Sequence, residues 1–329
     1  MSIAVLAPGM LTTVQDGGRI GHAAIGVGRA GAMDDVALRM ANMLVGNGEN
    51  AAGLEMTLRG PHLRFDDDVL IAVTGADIEV RCNGEPVPAW RPVAVRAGSQ
   101  IMFGNMPRGA RSYIAVAGGI NTPPQLGSRS CDLNAGIGGR PLGTGDVLPV
   151  GPTKRDICRA LWGNLDTSAV AVTRWSLDPR AWSDADPRTP VRVVAATHFP
   201  QLDIASQRAL CATDFRIGAE SNRVGYRLEG AVLAQREPLE LISEGVMPGT
   251  VQLPPGGGPI VLMAEAPTCG GYPRVAQVIA VDLPHLAQRR PGATVRFAET
   301  SLDDAQTRYL RRERALARIG HIVAERLHE

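Results

Sequence analysis

The chain has almost no lysine. Of its 34 basic residues only Lys154 is one, and the rest are arginine. No GxxxxGK[ST] phosphate loop is present, and no lysine lies in a strand-like pattern where a kinase would hold it. Lys154, in the loop-like stretch Gly151-Pro152-Thr153-Lys154-Arg155, lacks the Met-Lys-Met surroundings of a biotin carrier, so no biotin is expected on this chain. Arginine stays charged and is a poor Schiff-base former or proton acceptor. Chemistry therefore falls to carboxylates, hydroxyls, thiols, histidines or backbone amides.

Other shortages exclude further classes. Net charge is only +1, which favours neither nucleic acid nor an anionic membrane. No stretch approaches about 18 uninterrupted apolar residues, so no membrane span is expected. Met1 to Met10 shows no basic region and no secretory cleavage pattern. The five cysteines (Cys82, Cys131, Cys158, Cys211, Cys269) are odd in number and form no CxxC pair. The expectation is a reduced, cytoplasmic protein. The six histidines include no HExxH or other close ligand spacing, so no metal is expected. His22 and His198 are loop-adjacent and can serve either as acid-base groups or as structural residues.

What is abundant is glycine, with 38 residues, and proline, with 24. Short apolar segments between turns predict a β-rich protein. Leu70 to Asp77 and Ser112 to Gly119 have the pattern of buried strands, and Asn83-Gly84 that of a hairpin turn. Gly98 to Phe103, Gly145 to Val150 and Gly292 to Phe297 share one design, a glycine turn leading into an alternating strand. Its first and last copies lie in opposite halves and hint at two related barrels. The spacing predicts helices over 34–45, over 274–288, and at the charged C-terminus over 302–327. At 329 residues about two domains are expected. The boundary is placed near Asp186-Pro187, dividing a β-rich domain (1–186) from a second one (187–329) that ends in the C-terminal helix.

The segment with the most chemistry is Thr268-Cys269-Gly270-Gly271-Tyr272-Pro273, which follows the apolar strand Ile260 to Ala264. It is either a small-molecule site or a tight turn. Its two glycines allow positive φ or a close approach of the backbone to something else. Gln15-Asp16-Gly17-Gly18-Arg19 gathers an amide, a carboxylate and a guanidinium that can bind a planar polar group. Ser221 to Arg227 is similar. Ser243-Glu244-Gly245 leads into Val251-Gln252-Leu253, where strand alternation turns Gln252 away from its apolar neighbours. Gly26 to Gly31 matches GxGxxG but lacks a preceding strand, so a dinucleotide fold is not expected.

Taken in order, these segments resemble the family of the 5-oxoprolinase C subunit, also described as KipA-like or allophanate hydrolase subunit 2-like. The same unit resembles the second half of the carboxyltransferase domain of urea carboxylase. The resemblance rests on Thr13 to Arg19, Gly31 to Asp34, Ala41 to Asn47, Leu54-Glu55, Thr74 to Asp77, Ala115 to Ile120, Leu126 to Ser130, Asn222 to Gly230, Gln252 to Pro254 and Thr268 to Pro273. It spans roughly residues 8–298. It implies a mainly β protein with a few helices, built as two cyclophilin-like β-barrel domains. It also implies a heteromeric complex with KipI-like and LamB/YcsF-like partners, the B and A subunits of the enzyme. The joint reaction would be ATP-dependent opening of 5-oxoproline to glutamate, with ATP used by the complex.

In that reading Gln15, Arg19, Asn222, Arg223, Gln252 and the Gly270 and Gly271 amides bind substrate. Thr268 and Tyr272 stabilise oxyanion charge, and Asp16 or Glu244 is the acid-base group. The sequence departs from the family at two places. Ala195-Ala196-Thr197 stands where a Gly-Pro-Gln run usually precedes His198, and Glu265-Ala266-Pro267 where Asp-Arg-Gln often precedes Thr268. Two other functions stay open: a biotin-dependent carboxyltransferase component whose carrier is another chain, and a non-catalytic KipA-like antagonist of a kinase inhibitor.

Overall fold

Strand Val69–Asp77 shows how the first half is layered. All of its residues but the last are buried. Val69, Ile71 and Val73 join one apolar core, whereas Leu70 and Ala72 join another. Both faces of its sheet are covered, which is why the segment is almost continuously apolar. The computed structural model describes residues 1–153, 157–165, 168–182, 186, 188–237, 239 and 241–329. Lys154 and Pro187, named above for a loop and a boundary, lie outside the described residues. The chain divides into two compact units, one of residues 1–18, 34–183 and 315–329, the other of 19–33 and 184–314.

In the first unit, one six-stranded sheet runs Val170–Val172, Val93–Val95, Val69–Asp77, Arg108–Val116, Gly53–Thr57, Leu11–Gln15. The other runs Val147–Pro149, Ser2–Ala7, His62–Phe65, Gln100–Phe103, Val80–Cys82, Glu85–Pro86. Ile3, Val5, Leu63, Phe65, Ile101 and Phe103 from the second sheet meet Val14, Leu54, Met56 and Ile114 from the first in one core. The opposite face of the first sheet carries helix Asp35–Leu44. That helix starts at Asp34, whose side chain accepts the Ala37 N–H at 2.9 Å. Thr74 Oγ pins it to the sheet by donating to the Ala37 carbonyl at 2.6 Å. Trp162, Trp175 and Trp182, from a stretch without periodicity, pack against the same cluster.

The second unit contains a closed seven-stranded barrel. Its order is Val191–Ala195, Arg274–Val278, Thr250–Gln252, Ile260–Leu262, Gly225–Glu229, Asp214–Ile217, Thr294–Glu299, and a parallel pairing of the last with the first closes it. Inward residues Val193, Phe215, Tyr226, Val251, Val261, Val275 and Phe297 form its core. A separate two-stranded ribbon pairs Glu244–Gly245 with Cys269–Gly270. The mainly β architecture agrees with expectation, and so do helices Asp35–Leu44 and Leu302–His328.

The helix expected over 274–288 does not form. Arg274–Val278 is a barrel strand, and only Leu283–Ala287 is helical. Pairing on both sides, with Val191–Ala195 and Thr250–Gln252, outweighs the local helical spacing. Pro284 then sits in the first turn of the short helix, where it is tolerated.

Candidate functional site

The segment Thr268 to Pro273 is where strand geometry turns into chemistry. Cys269 and Gly270 pair with Gly245 and Glu244, and the Thr268 carbonyl accepts the Val246 N–H at 3.1 Å. Pro273 offers its carbonyl to the Leu253 N–H at 2.9 Å, tying the far end of the run to the strand that carries Gln252. Thr268 is half-buried, while Cys269 and Gly271 are exposed. Tyr272 is 45% exposed.

Gly270 is required for space. Its φ lies outside the left-handed region. A Cβ there would stand 2.5 Å from Gln252 Nε2. At Gly271 the nearest atom would be 3.7 Å away, an ordinary contact. Of the two roles open to the glycine pair, close approach at Gly270 is therefore the one adopted. Gln252 is buried, as are Val251 and Leu253, but only those two belong to the barrel core. Alternation turns the Gln252 amide away from that core and toward the ribbon.

Glu244 forms an ion pair with Arg274, whose Nη1 also donates to the Gly245 carbonyl at 3.3 Å. Arg274 is fixed from below by His198, whose Nδ1 accepts the Arg274 N–H at 3.0 Å. The His198 N–H donates to the Arg274 carbonyl, also at 3.0 Å. Gln252, Gly270, Glu244 and Arg274 thus form one neighbourhood, with His198 behind it. Sequence reasoning missed Arg274 because it stood at the start of an expected helix. The signal that would have found it is its pairing opposite Gln252, a contact set by the barrel.

The other expected site residues in this unit have structural partners. Asn222 Oδ1 accepts the N–H groups of Val224 and Gly225, forming a turn. Arg223 is buried and bound to Glu265 at 2.5 Å, and its Nη2 donates to the Gly31 carbonyl at 2.7 Å. Glu265 belongs to the segment that departs from the family pattern, so the departure supplies the partner of a buried arginine. Arg19 is also buried, and its N–H donates to the Arg29 carbonyl at 2.7 Å.

Gln15 and Asp16 belong to the first unit. Gln15 is fully buried. Its Nε2 donates to Thr13 Oγ and the Cys131 carbonyl, while Oε1 has no hydrogen-bond partner among the described residues. Asp16 accepts four hydrogen bonds. Ser128 Oγ, Ser130 Oγ and the Gly18 N–H reach Oδ1 at 2.6, 2.6 and 2.8 Å, and the Arg129 N–H reaches Oδ2 at 2.6 Å. Burial pushes its pKa up, but these donors together outweigh burial and hold the carboxyl below its usual range. Such a carboxylate ties the Gly127 to Ser130 turn to the end of strand Leu11–Gln15 and has little capacity left to take a proton.

A second buried polar group lies in the same unit. Tyr113 Oη donates to Glu55 at 2.7 Å and accepts the Asp34 N–H at 2.8 Å. Burial, with the charges of Glu55 and Asp34, raises the phenol pKa well above normal. Among the described residues no three His, Cys, Asp or Glu side chains gather as a metal site. Among them, too, no helix is long and apolar enough to cross a membrane.

Residues 25–299 match the family described as carboxyltransferase domain, subdomain A and B. The chain is 41% identical to the C subunit of 5-oxoprolinase from Escherichia coli (strain K12) across 92% of each chain. It is 36% identical to the corresponding C subunit of Haemophilus influenzae, over 95% of this chain and 96% of that one. Its fold also matches the crystal structure of the K. lactis urea amidolyase, with a TM-score of 0.81 and 27% identity over 96% of this chain. This chain spans only 20% of that amidolyase, and 56% or less of other solved chains that it matches. The chain belongs to the carboxyltransferase domain, subdomain A and B, family, in which its relatives include the C subunits of 5-oxoprolinase.

Proposed function

We propose that this chain is the C subunit of a heteromeric, ATP-dependent 5-oxoprolinase that opens 5-oxoproline to glutamate. The observation that carries the reading is 41% identity to the C subunit of a 5-oxoprolinase over 92% of both chains. Its partners in the cytoplasm are the KipI-like and LamB/YcsF-like chains, the B and A subunits. A lactam amide is resonance-stabilised, and ATP supplies the activation of its carbonyl oxygen. The chain offers no phosphate loop, so ATP is assigned to one of these partners.

This chain's share of the work is orientation and charge stabilisation. Gln252 holds the substrate beside Gly270, and the Thr268 hydroxyl, the Tyr272 phenol and the Gly271 amide face developing oxyanion charge. Of the two candidate carboxylates, Glu244 is the better acid-base group. It is 43% exposed, whereas four donors occupy Asp16. Asp16 and Gln15 instead order their own loop, and Arg223, Arg19 and Asn222 hold the backbone around the second-unit site.

The test is reconstitution with both partner chains, 5-oxoproline and ATP. Glutamate should form only when this chain is included. Equal glutamate formation without it would remove the chain from the reaction. The family match and the urea amidolyase likeness favour a second reading, a carboxyltransferase acting with carboxybiotin carried on another chain. Avidin separates the two, since it would block carboxyl transfer and leave lactam opening untouched.

A further inference from the structure

Two buried N–H donors in the second unit meet no acceptor among the described residues, Nε2 of Gln252 and Nε of Arg274. The two residues are direct cross-strand partners. Gln252 is 5% exposed. The register between their strands shifts between Val251 and Gln252, an irregularity of the kind that re-aims a side chain out of the regular ladder.

The surroundings fix both groups. Gly270 leaves the space that the Gln252 amide fills, and it pairs with Glu244. Glu244 holds Nη2 of Arg274 and the Gly245 carbonyl holds Nη1, so the guanidinium plane is set and Nε–H remains. His198 clamps the Arg274 backbone through both its own N–H and its Nδ1. Gln252, Gly270, Glu244 and Arg274 close a ring in which each residue touches or pairs with the next.

Leaving one buried donor without an acceptor is costly, and native folds hold few of them. Two on one cross-strand pair specify an acceptor that the described residues do not supply. A carboxylate fits this demand. It has two oxygens with several lone pairs, and it gains most from a hydrogen bond to a guanidinium. Arg274 and Glu244 together carry no net charge, so selectivity comes from the placement of donors more than from long-range attraction.

We propose that Gln252 and Arg274 form the receptor for a carboxylate group on the small-molecule substrate, with Gly270 making room for the amide and Glu244 orienting the guanidinium. The proposal rests on the oxoprolinase reading, in which the bound group is the carboxylate on the ring of 5-oxoproline.

Three probes titrated into the full chain test it: 5-oxoproline, 2-pyrrolidinone (the same lactam without the carboxylate) and cyclopentanecarboxylate (a ring carboxylate without the lactam). Both carboxylates should bind, and 2-pyrrolidinone at least tenfold more weakly than 5-oxoproline. Gln252→Leu should weaken both carboxylates at least tenfold without lowering the melting temperature, because it removes a donor that has no acceptor among the described residues. Arg274→Lys keeps the charge opposite Glu244 but loses the Nε donor, and should weaken them as well. Should either variant fail to fold, the wild-type preference for 5-oxoproline over 2-pyrrolidinone decides by itself. Equal binding of the two lactams, no binding of either carboxylate, or folded variants that bind like wild type would overturn the proposal. Carboxylate binding that depends on Gln252, in a chain whose assembled complex releases no glutamate, would keep the receptor and sink the oxoprolinase reading.

Discussion

Asp16 shows how neighbouring donors occupy a reactive residue type. Four donors surround its carboxylate, and its pKa lies below the usual value of 3.8. A depressed folded pKa adds stability that is fully present above the unfolded pKa and is lost as pH falls through the folded value. Asp16→Asn should therefore cost about 1–3 kcal/mol near neutrality. The gap from wild type should narrow below about pH 3.8, which thermal melts across pH would reveal. At this scale the sequence displays residue types but not who fills their lone pairs. For Gln252 the sequence shows the direction of the side chain, because Val251 and Leu253 flank it with core residues. For Arg223 the sequence does not show the partner, since Glu265 lies 42 positions away. Thiols at this scale differ by exposure: Cys269 is exposed, while burial pushes Cys158 up to about 11. A thiol reagent at neutral pH should modify Cys269 first, and Cys269→Ser should remove the fast phase of the reaction.

Elements were read well where one neighbour decided them and poorly where several did. Helix Asp35–Leu44 announces itself through its apolar face and its Asp34 cap. Asp34→Ala should lower stability by about 1 kcal/mol or more, measured by denaturant unfolding, since the cap bond to Ala37 is lost. Strand Arg274–Val278 was hidden. Val275, Ala276 and Ile279 carry a spacing that suits a helix, and only pairing on both flanks makes the segment a strand. Its neighbour Val191–Ala195 is held by Arg192, which grips buried Asp282 through its N–H at 2.7 Å and its Nε at 2.9 Å. Asp282→Ala would leave that arginine without its partner and should destabilise the barrel by about 3 kcal/mol in the same measurement.

The whole molecule carries what a linear reading cannot show. Residues 19–33 sit in the second compact unit and 315–329 in the first, so neither unit is one continuous stretch. The C-terminal helix Leu302–His328 is expected from its spacing and its charge, neither of which shows what it packs against. Its end in fact buries Leu316, Val323 and Leu327 against the cluster that holds Ile157, Leu161 and Met43. Removing residues 315–329 should expose that cluster and lower the melting temperature by several degrees, readable by calorimetry. The family was legible because its motifs are ordered along the chain, and the structure shows what many of them do. Asn47 Nδ2 donates to the Val116 carbonyl at 2.8 Å, and Asn47 Oδ1 accepts the Gly118 N–H, also at 2.8 Å. Several motif residues hold backbone in this way, Asn47, Asp16 and Asn222 among them.

If, as proposed, the neighbourhood of Gln252 and Gly270 serves lactam opening in a heteromeric enzyme, its loss must show in turnover. The direct measurement is ATP-dependent glutamate release from 5-oxoproline by the assembled complex, containing either the wild-type chain or Gln252→Leu. Wild type should release glutamate, and the variant should show a KM for 5-oxoproline raised at least tenfold. No release with wild type, or the same KM in both, would contradict the proposal.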